Sequence, residues 1–446
     1  MGTTESSGPL ARFLRRLANI ERNELAAVLV SFVLVFFLMT SYSILKPIRD
    51  ALAADWGNVG LSLTWTVNFG LSLLAVAAYG VALTWVRFRV MVPAIYAFFA
   101  LTFFALYVIR AQAPDATLIN KGFYVWVSVF SLFNLSVFWS FMTDIFSKAQ
   151  ARRLFGFIAA GTTAGAICGP IITAALVDDL GANGLLLMSA FLLLTPLVAI
   201  PVLRRLKVSQ LGNAGLHADV SGDRALGTNP FSGFSLLFSD RYLLGLCAFI
   251  LLYVTINTFV YFELQNLTRE YSLEFRAQIW SLIEITTNVL TLVTAALITG
   301  RIVSRFGMST ALALMPGLVA IGIVALVAAP VLVVLAVFQV GRRVGNYAIT
   351  RPSREMLFTV LNRETRFKAK PVIDVVVYRG GDVMTAWLFT LLADKVGLGL
   401  AGIAVVIGGI AIAWGAVAIW LGRQYAQRTS EEDVAVIEES TVHGTA

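Results

Sequence analysis

Runs of about twenty apolar residues, long enough to cross a ~30 Å hydrocarbon core as helices, follow one another roughly twelve times along this chain. The first, LAAVLVSFVLVFFLM at 25–39, holds no charged residue. In hydrocarbon no water can satisfy backbone N–H and C=O groups, so a chain built this way closes its hydrogen bonds within helices. The expected fold class is an all-α integral membrane protein of twelve transmembrane helices. Composition agrees: 58% of residues are hydrophobic and only 13% charged, which leaves almost nothing for a soluble domain. The basic start before the first run has the layout of a signal peptide, but the run is long and lacks a small-residue cleavage site, so it is expected to stay as helix 1.

The net charge of +8 could suggest a nucleic-acid partner. Its distribution argues otherwise. Lys and Arg gather at the N-terminus, in alternate loops (Arg87, Arg89; Lys148, Arg152, Arg153; Arg204, Arg205, Lys207; Arg301, Arg305; Arg363, Arg366, Lys368, Lys370) and at the C-terminal exit (Arg423, Arg428). That asymmetry puts both termini in the cytoplasm and makes the chain a multi-pass protein of the cell's inner (plasma) membrane, with the lipid bilayer as its partner. Cys168 and Cys247 sit in separate apolar runs, and His217 and His443 lie in a loop and a tail. Neither pair forms a metal or catalytic motif, so no metal, cofactor or catalytic residue is expected. No G-x-x-x-x-G-K loop or nucleophile with its base appears either, which argues against an enzyme and against an ATP-driven pump.

The expected spans are 24–46, 60–86, 90–110, 117–147, 155–178, 183–203, 241–264, 276–300, 309–328, 331–358, 373–393 and 398–421. Residues 1–23 form a cytoplasmic N-terminal segment, and 24–203 the first six-helix half. The connection 204–240 is rich in Gly, Ser, Asn and Asp and reads as a flexible cytoplasmic linker. Residues 241–421 form the second half, and 422–446 an acidic disordered tail. The halves echo each other at an offset of about 220, with Arg49 over Arg269, Asp50 over Glu270, Asn68 over Asn288 and Gly80 over Gly300. This resembles the parallel two-half plan of the major facilitator transporters, which puts the substrate path between the halves. GRIVSRFG at 300–307 resembles a facilitator loop signature, with Ser304 in place of its acid. GFIAAGTTAGAICGP at 156–170 is similar to the helix 5 signature of facilitator antiporters, through Gly156, Gly165, Gly169 and Pro170. Close helix packing explains Gly161, Gly165 and Gly169 at least as well.

Ionisable residues inside the spans carry the functional argument, because each costs at least ~2.5 kcal/mol at the bilayer centre unless it meets partners or water. Lys46, Arg49 and Asp50 close helix 1, on either side of Pro47; Asp144 ends helix 4; Glu284 is mid-helix 8. Arg342, Arg343, Arg351, Arg354 and Glu355 run along helix 10, and Asp374, Arg379 and Asp382 along helix 11. At α-helical steps Arg343, Asn346, Thr350 and Arg354 share one face, with Arg351 and Glu355 on an adjoining strip. Several guanidinium groups on one strip suit an anion with many oxygens, which arginine grips in a fork. Acids nearby can hold those arginines when the site is empty. Pro47 is expected to interrupt the hydrogen bonding of helix 1, so that Lys46, Arg49 and Asp50 turn towards the interior. The alternative is that Pro47 ends the helix and the charges are surface residues.

Three segments bear a resemblance to one family. YSILKPIRDAL at 42–52, FWSFMTDIFSKAQARRLFGFIAAG at 138–161 and RPSREMLFTVLNRETRFKAKPVIDVVVYRGGD at 351–382 resemble the signatures of the nucleotide transporter family, the ATP/ADP translocases of plastids and obligate intracellular bacteria. The Arg-Glu-Met and Tyr-Arg-Gly-Gly-Asp versions look like the family's free-living bacterial branch. The resemblance implies a facilitator-type fold and membrane exchange of nucleotides. It also implies that Arg49 and Arg354 contact substrate phosphates, and that Asp144 and Glu355 are acids needed for transport.

The substrate-binding candidates are therefore Lys46, Arg49, Arg343, Asn346, Arg351, Arg354 and Arg379, and the coupling or gating candidates Asp50, Asp144, Glu284, Glu355 and Asp382. The expected activity is secondary transport of an anionic, phosphate-bearing metabolite such as a nucleotide, by alternating access. Two alternatives stay open: a proton-coupled exporter of another organic solute, working through Asp144, Glu284 or Glu355, and a membrane scaffold that kept a transporter fold. The oligomeric state is not legible.

Overall fold

In a computed structural model the described residues are 20–85, 88–113, 116–213, 240–361, 365, 369–370 and 372–443, and every regular element among them is helical. Helix α1 spans Leu25–Ala53 and passes through a short 3₁₀ turn, Ala54–Trp56, into α2 at Gly57–Trp85. Then come α3 (Phe88–Gln112), α4 (Thr117–Ile145), α5 (Lys148–Leu192) and α6 (Thr195–Ser209). The later part holds α7 (Arg241–Thr268), α8 (Leu273–Thr294), α9 (Gly300–Ala328), α10 (Leu332–Gly345), α11 (Arg351–Met356), α12 (Tyr378–Thr390) and α13 (Leu400–His443). Four π-helical segments interrupt this series, at Ala295–Thr299, Asn346–Thr350, Val372–Val377 and Leu391–Lys395.

Among the described residues nine helical stretches are long and apolar enough to cross a membrane. Two of them, Leu25–Ala82 and Ala149–Ser209, run to 58 and 61 residues. At about 1.5 Å per residue either is far too long for one crossing. Each is broken by a glycine in the left-handed region, Gly57 (φ 62°) and Gly181 (φ 62°), a conformation that other residues adopt only at a cost. Gly307 and Gly397 break α9 and the approach to α13 in the same way. The expected tenth span is missing from the nine because it carries Arg342, Arg343, Arg351, Arg354 and Glu355 and is divided by a π-helical segment.

Helix α1 does not end at residue 46. Pro47 lies inside it and the helix continues to Ala53. The last helix likewise continues to His443, where a disordered tail was expected from residue 422. Helix-favouring Gln424, Ala426 and Gln427 carry it on, and Arg428 is held by Asp240, the N-cap of α7, at 2.9 Å. The N-terminal segment to residue 19, linker residues 214–239 with His217, and the loop cations Arg87, Arg363, Arg366 and Lys368 lie outside the described residues.

The helices gather into two compact units: Met1–Ala53 with Gly70–Arg224 and Ser272–Ile285, and Ala54–Phe69 with Ala225–Tyr271 and Thr286–Ala446. In the first, α1 lies along α5. Gly161, Gly165 and Gly169, one per helical turn, form the seam, and a methyl group on them would come within 2.8 Å of the Phe32 carbonyl, 2.5 Å of the Phe36 carbonyl and 2.5 Å of Ser43 Cβ. Gly156, outside the seam, would meet nothing within 4 Å. Facing hydroxyls of Ser41 and Ser189 at 2.8 Å fasten α1 to the end of α5. In the second unit Trp414 of α13 is fully buried against Phe249 and Tyr253 of α7. The start of α2 joins that unit through Ser62 and Thr390 at 2.8 Å, the Trp387 indole donating to Thr66 at 3.1 Å, and Trp65 against Tyr261.

Candidate functional site

The proline inside α1 sets up the first group of charges. Pro47 brings no N–H for the carbonyl of Ser43 one turn back, and Thr173 of α5 donates to the neighbouring carbonyl of Ile44 at 2.9 Å. The helix therefore persists, and Lys46, Arg49 and Asp50 project from its last turns into the first unit instead of from a surface loop. Asp50 is 3% exposed. Arg49 donates to it through Nε at 3.0 Å and Nη2 at 2.7 Å, and through Nη1 to Ser128 of α4 at 3.3 Å. The same guanidinium lies 5.1 Å from the centroid of the Tyr124 ring. Lys46 pairs with Glu284 of α8 at 2.8 Å, with the carboxylate nearly closed off from solvent. Arg276, also on α8, donates to the carbonyl of Ala51 at 3.1 Å. The end of α1 thus gathers two cations paired with two acids, and its outer turn is bound by a third cation. Asp144 lies apart from this group, at the end of α4, paired with Lys207 of α6 at 3.2 Å.

In the second unit the π-helical segment Asn346–Thr350 decides which charges meet. Its i→i+5 bonding turns the chain by less per residue than the ~100° of an α-helix. The one-face reading of helix 10 assumed an unbroken α-helix, so the series loses its phase at this point. Arg343, Asn346 and Thr350 are buried, Arg351 is exposed, and Arg354 is half-buried. The Arg343 guanidinium stacks 5.7 Å from the Tyr347 ring. Arg354 reaches Glu355 at 3.5 Å and Asp374 at 3.8 Å, while Lys370 pairs with Glu355 and, at 3.5 Å, with Asp374. These four form one network of alternating sign. Arg379 and Asp382 stand half-buried on α12; the Asp382 carbonyl accepts from Thr385 at 3.2 Å.

Sequence reasoning grouped Arg354 with Arg343, read Lys370 only as a loop cation, and overlooked Arg276 and Glu263. Lys370 was legible four residues before Asp374, the spacing of an ion pair on one helix face. Glu263 offered the signal of a lone acid inside an apolar run, and it is buried in α7. The repeat also misled in part: Arg269 and Glu270, which align with the buried Arg49 and Asp50, are exposed at the end of α7. Among the described residues no three His, Cys, Asp or Glu side chains gather as a metal ion requires.

A family profile described as the Major Facilitator Superfamily matches residues 28–351. A comparison with curated proteins gives no match. Solved structures of transporters share the fold at low identity. A bacterial homologue of the iron transporter ferroportin, in an inward-facing state, matches with 13% identity and a TM-score of 0.61, over 90% of this chain and 98% of its own. The nucleoside transporter NupG matches with 12% identity and a TM-score of 0.56, over 90% and 100%. A bacterial homologue of the human lysosomal transporter Spinster matches with 12% identity and a TM-score of 0.55, over 91% and 94%.

Proposed function

Because this chain belongs to the Major Facilitator Superfamily, we propose that it is a secondary active transporter that exchanges an anionic, phosphate-bearing metabolite across the plasma membrane by alternating access, with both termini in the cytoplasm. One observation carries the reading: the cations at the end of α1 and around α11 are each held by carboxylates, Arg49 by Asp50, Lys46 by Glu284, and Arg354 by Glu355 and Asp374. An anion reaching either group can exchange places with its acids, so the guanidinium there is not left bare in either state. Arginine's planar fork and the aromatic face of Tyr124 suit a phosphate on one side and a flat ring on the other. The likeness of the α1 and helix 10–11 segments to nucleotide transporters makes a nucleotide the first substrate to test. On this reading Arg49, Lys46, Arg343, Asn346, Arg351, Arg354 and Arg379 bind substrate, and Asp50, Asp144, Glu284, Glu355 and Asp382 couple or gate.

The test is uptake of radiolabelled ADP by proteoliposomes loaded with unlabelled ADP. Wild-type protein accumulates label, and Arg49→Ala and Arg354→Ala, purified with normal yield, each lose at least about 90% of it, as the loss of one or more charge-assisted contacts implies. Wild-type vesicles that take up no nucleotide would overturn the nucleotide version, and a panel of other anions would follow. The Lys46–Glu284 pair supports a second reading, proton-coupled export of another organic solute, since protonating Glu284 would release the lysine. Transport that persists unchanged with a protonophore would remove it.

A further inference from the structure

Among the described charged residues of the second unit none is less exposed than Arg342, at 1%. It sits on α10, where its Nη2 donates to the Gln339 side chain one turn earlier at 2.7 Å, and its guanidinium carbon lies 5.9 Å from the Tyr253 ring of α7. Its Nε and Nη1 have no hydrogen-bond partner among the described residues. The N–H of Nε and both of Nη1 therefore lie without a carboxylate or carbonyl in hydrogen-bond reach among the described residues, and the Tyr253 phenol is the other polar group beside the guanidinium. Further along the chain, past the end of α10, Thr350 Oγ1 and Ser353 Oγ are also buried without hydrogen-bond partners among the described residues.

Packing does not account for this arrangement. A methionine would fill much the same volume with no charge to desolvate, and buried ionic groups replaced by apolar ones of similar size leave proteins as stable or more so. Arg49 and Arg354 already have carboxylates; Arg342 has a neutral amide and an aromatic face. We infer that Arg342, with Gln339 and Tyr253, is an anion subsite inside the second unit, which takes an oxyanion, the phosphate or carboxylate of the transported solute, on its unpartnered N–H groups. This rests on the reading of the solute as an anion and adds the residue that would anchor it.

The test uses purified full-length protein in detergent, titrated calorimetrically with inorganic phosphate, ADP and citrate at constant ionic strength, together with the melting temperature of the unliganded protein. Wild-type protein binds at least one of the three. Arg342→Met weakens that binding at least about tenfold, since a charge-assisted hydrogen bond is lost, and raises the unliganded melting temperature, because an uncompensated charge has gone. Arg342→Lys, which keeps the charge without the fork, also weakens binding and covers the case of a poorly folding Arg342→Met. An Arg342→Met protein that melts lower and binds as tightly as wild type would overturn the subsite, as would wild-type affinity in Arg342→Lys. A wild type that binds none of the three would remove the anion reading itself, and the subsite with it.

Discussion

The Lys46–Glu284 pair shows how a single charge is managed inside this chain. Glu284 is 4% exposed and Lys46 stands 2.8 Å from its carboxylate, so the two opposite charges compensate each other in a largely buried setting. Taking the lysine away should cost more than the pair is worth, because the acid would then be buried without its cation. Lys46→Met is expected to destabilise the protein by roughly 2–3 kcal/mol, tempered by the lysine's partial exposure, and the double variant Lys46→Met/Glu284→Leu should recover most of the loss. Thermal melts of the two single variants and the double variant complete the cycle. Strictly additive losses would mean that the two side chains do not act as a pair. Lys46, Arg49 and Arg354 are paired with acids, whereas Arg342, on which a separate subsite is proposed, is not.

Helix α1 depends on α5 through glycines whose missing side chains let two backbones touch. Gly165 leaves a methyl group only 2.5 Å from the Phe36 carbonyl, an approach that forces the helices apart, whereas Gly156 faces open space. Gly165→Ala is therefore expected to lower the melting temperature by several degrees, in line with the ~1–3 kcal/mol of an overpacked core, and Gly156→Ala to leave it unchanged or slightly higher. Equal effects would mean that the seam is not what holds α1. This packing role was legible from small residues four apart. So were the apolar runs themselves, because bilayer thickness fixes their length. The sequence reading failed where local geometry departs from the ideal helix. The first span was expected to close at residue 46, yet the helix runs on through Pro47 to Ala53. The steps from Arg343 to Arg354 read as one face, yet the π-helical segment between them resets the phase. Partners brought in from distant sequence, such as Ser128 and Tyr124 for Arg49 or Arg276 for Ala51, leave no periodic trace at all.

At the scale of the whole molecule, a facilitator-type fold with transporter neighbours at 12–13% identity leaves the substrate to be argued from side chains. The proposed orientation, with both termini on the cytoplasmic side, rests on the basic loops that alternate along the chain. Single cysteines placed at the start and end of a functional protein should resist a membrane-impermeant maleimide in intact cells and react after lysis; labelling before lysis would reverse the topology. The central claim is that the paired cations of the end of α1 and of α11 serve exchange of a phosphate-bearing solute. Its most direct measurement is counterflow: proteoliposomes loaded with unlabelled ADP should draw in radiolabelled ATP, empty ones should not, and Arg49→Ala should abolish the difference. Label entering loaded wild-type vesicles no faster than protein-free vesicles would contradict it.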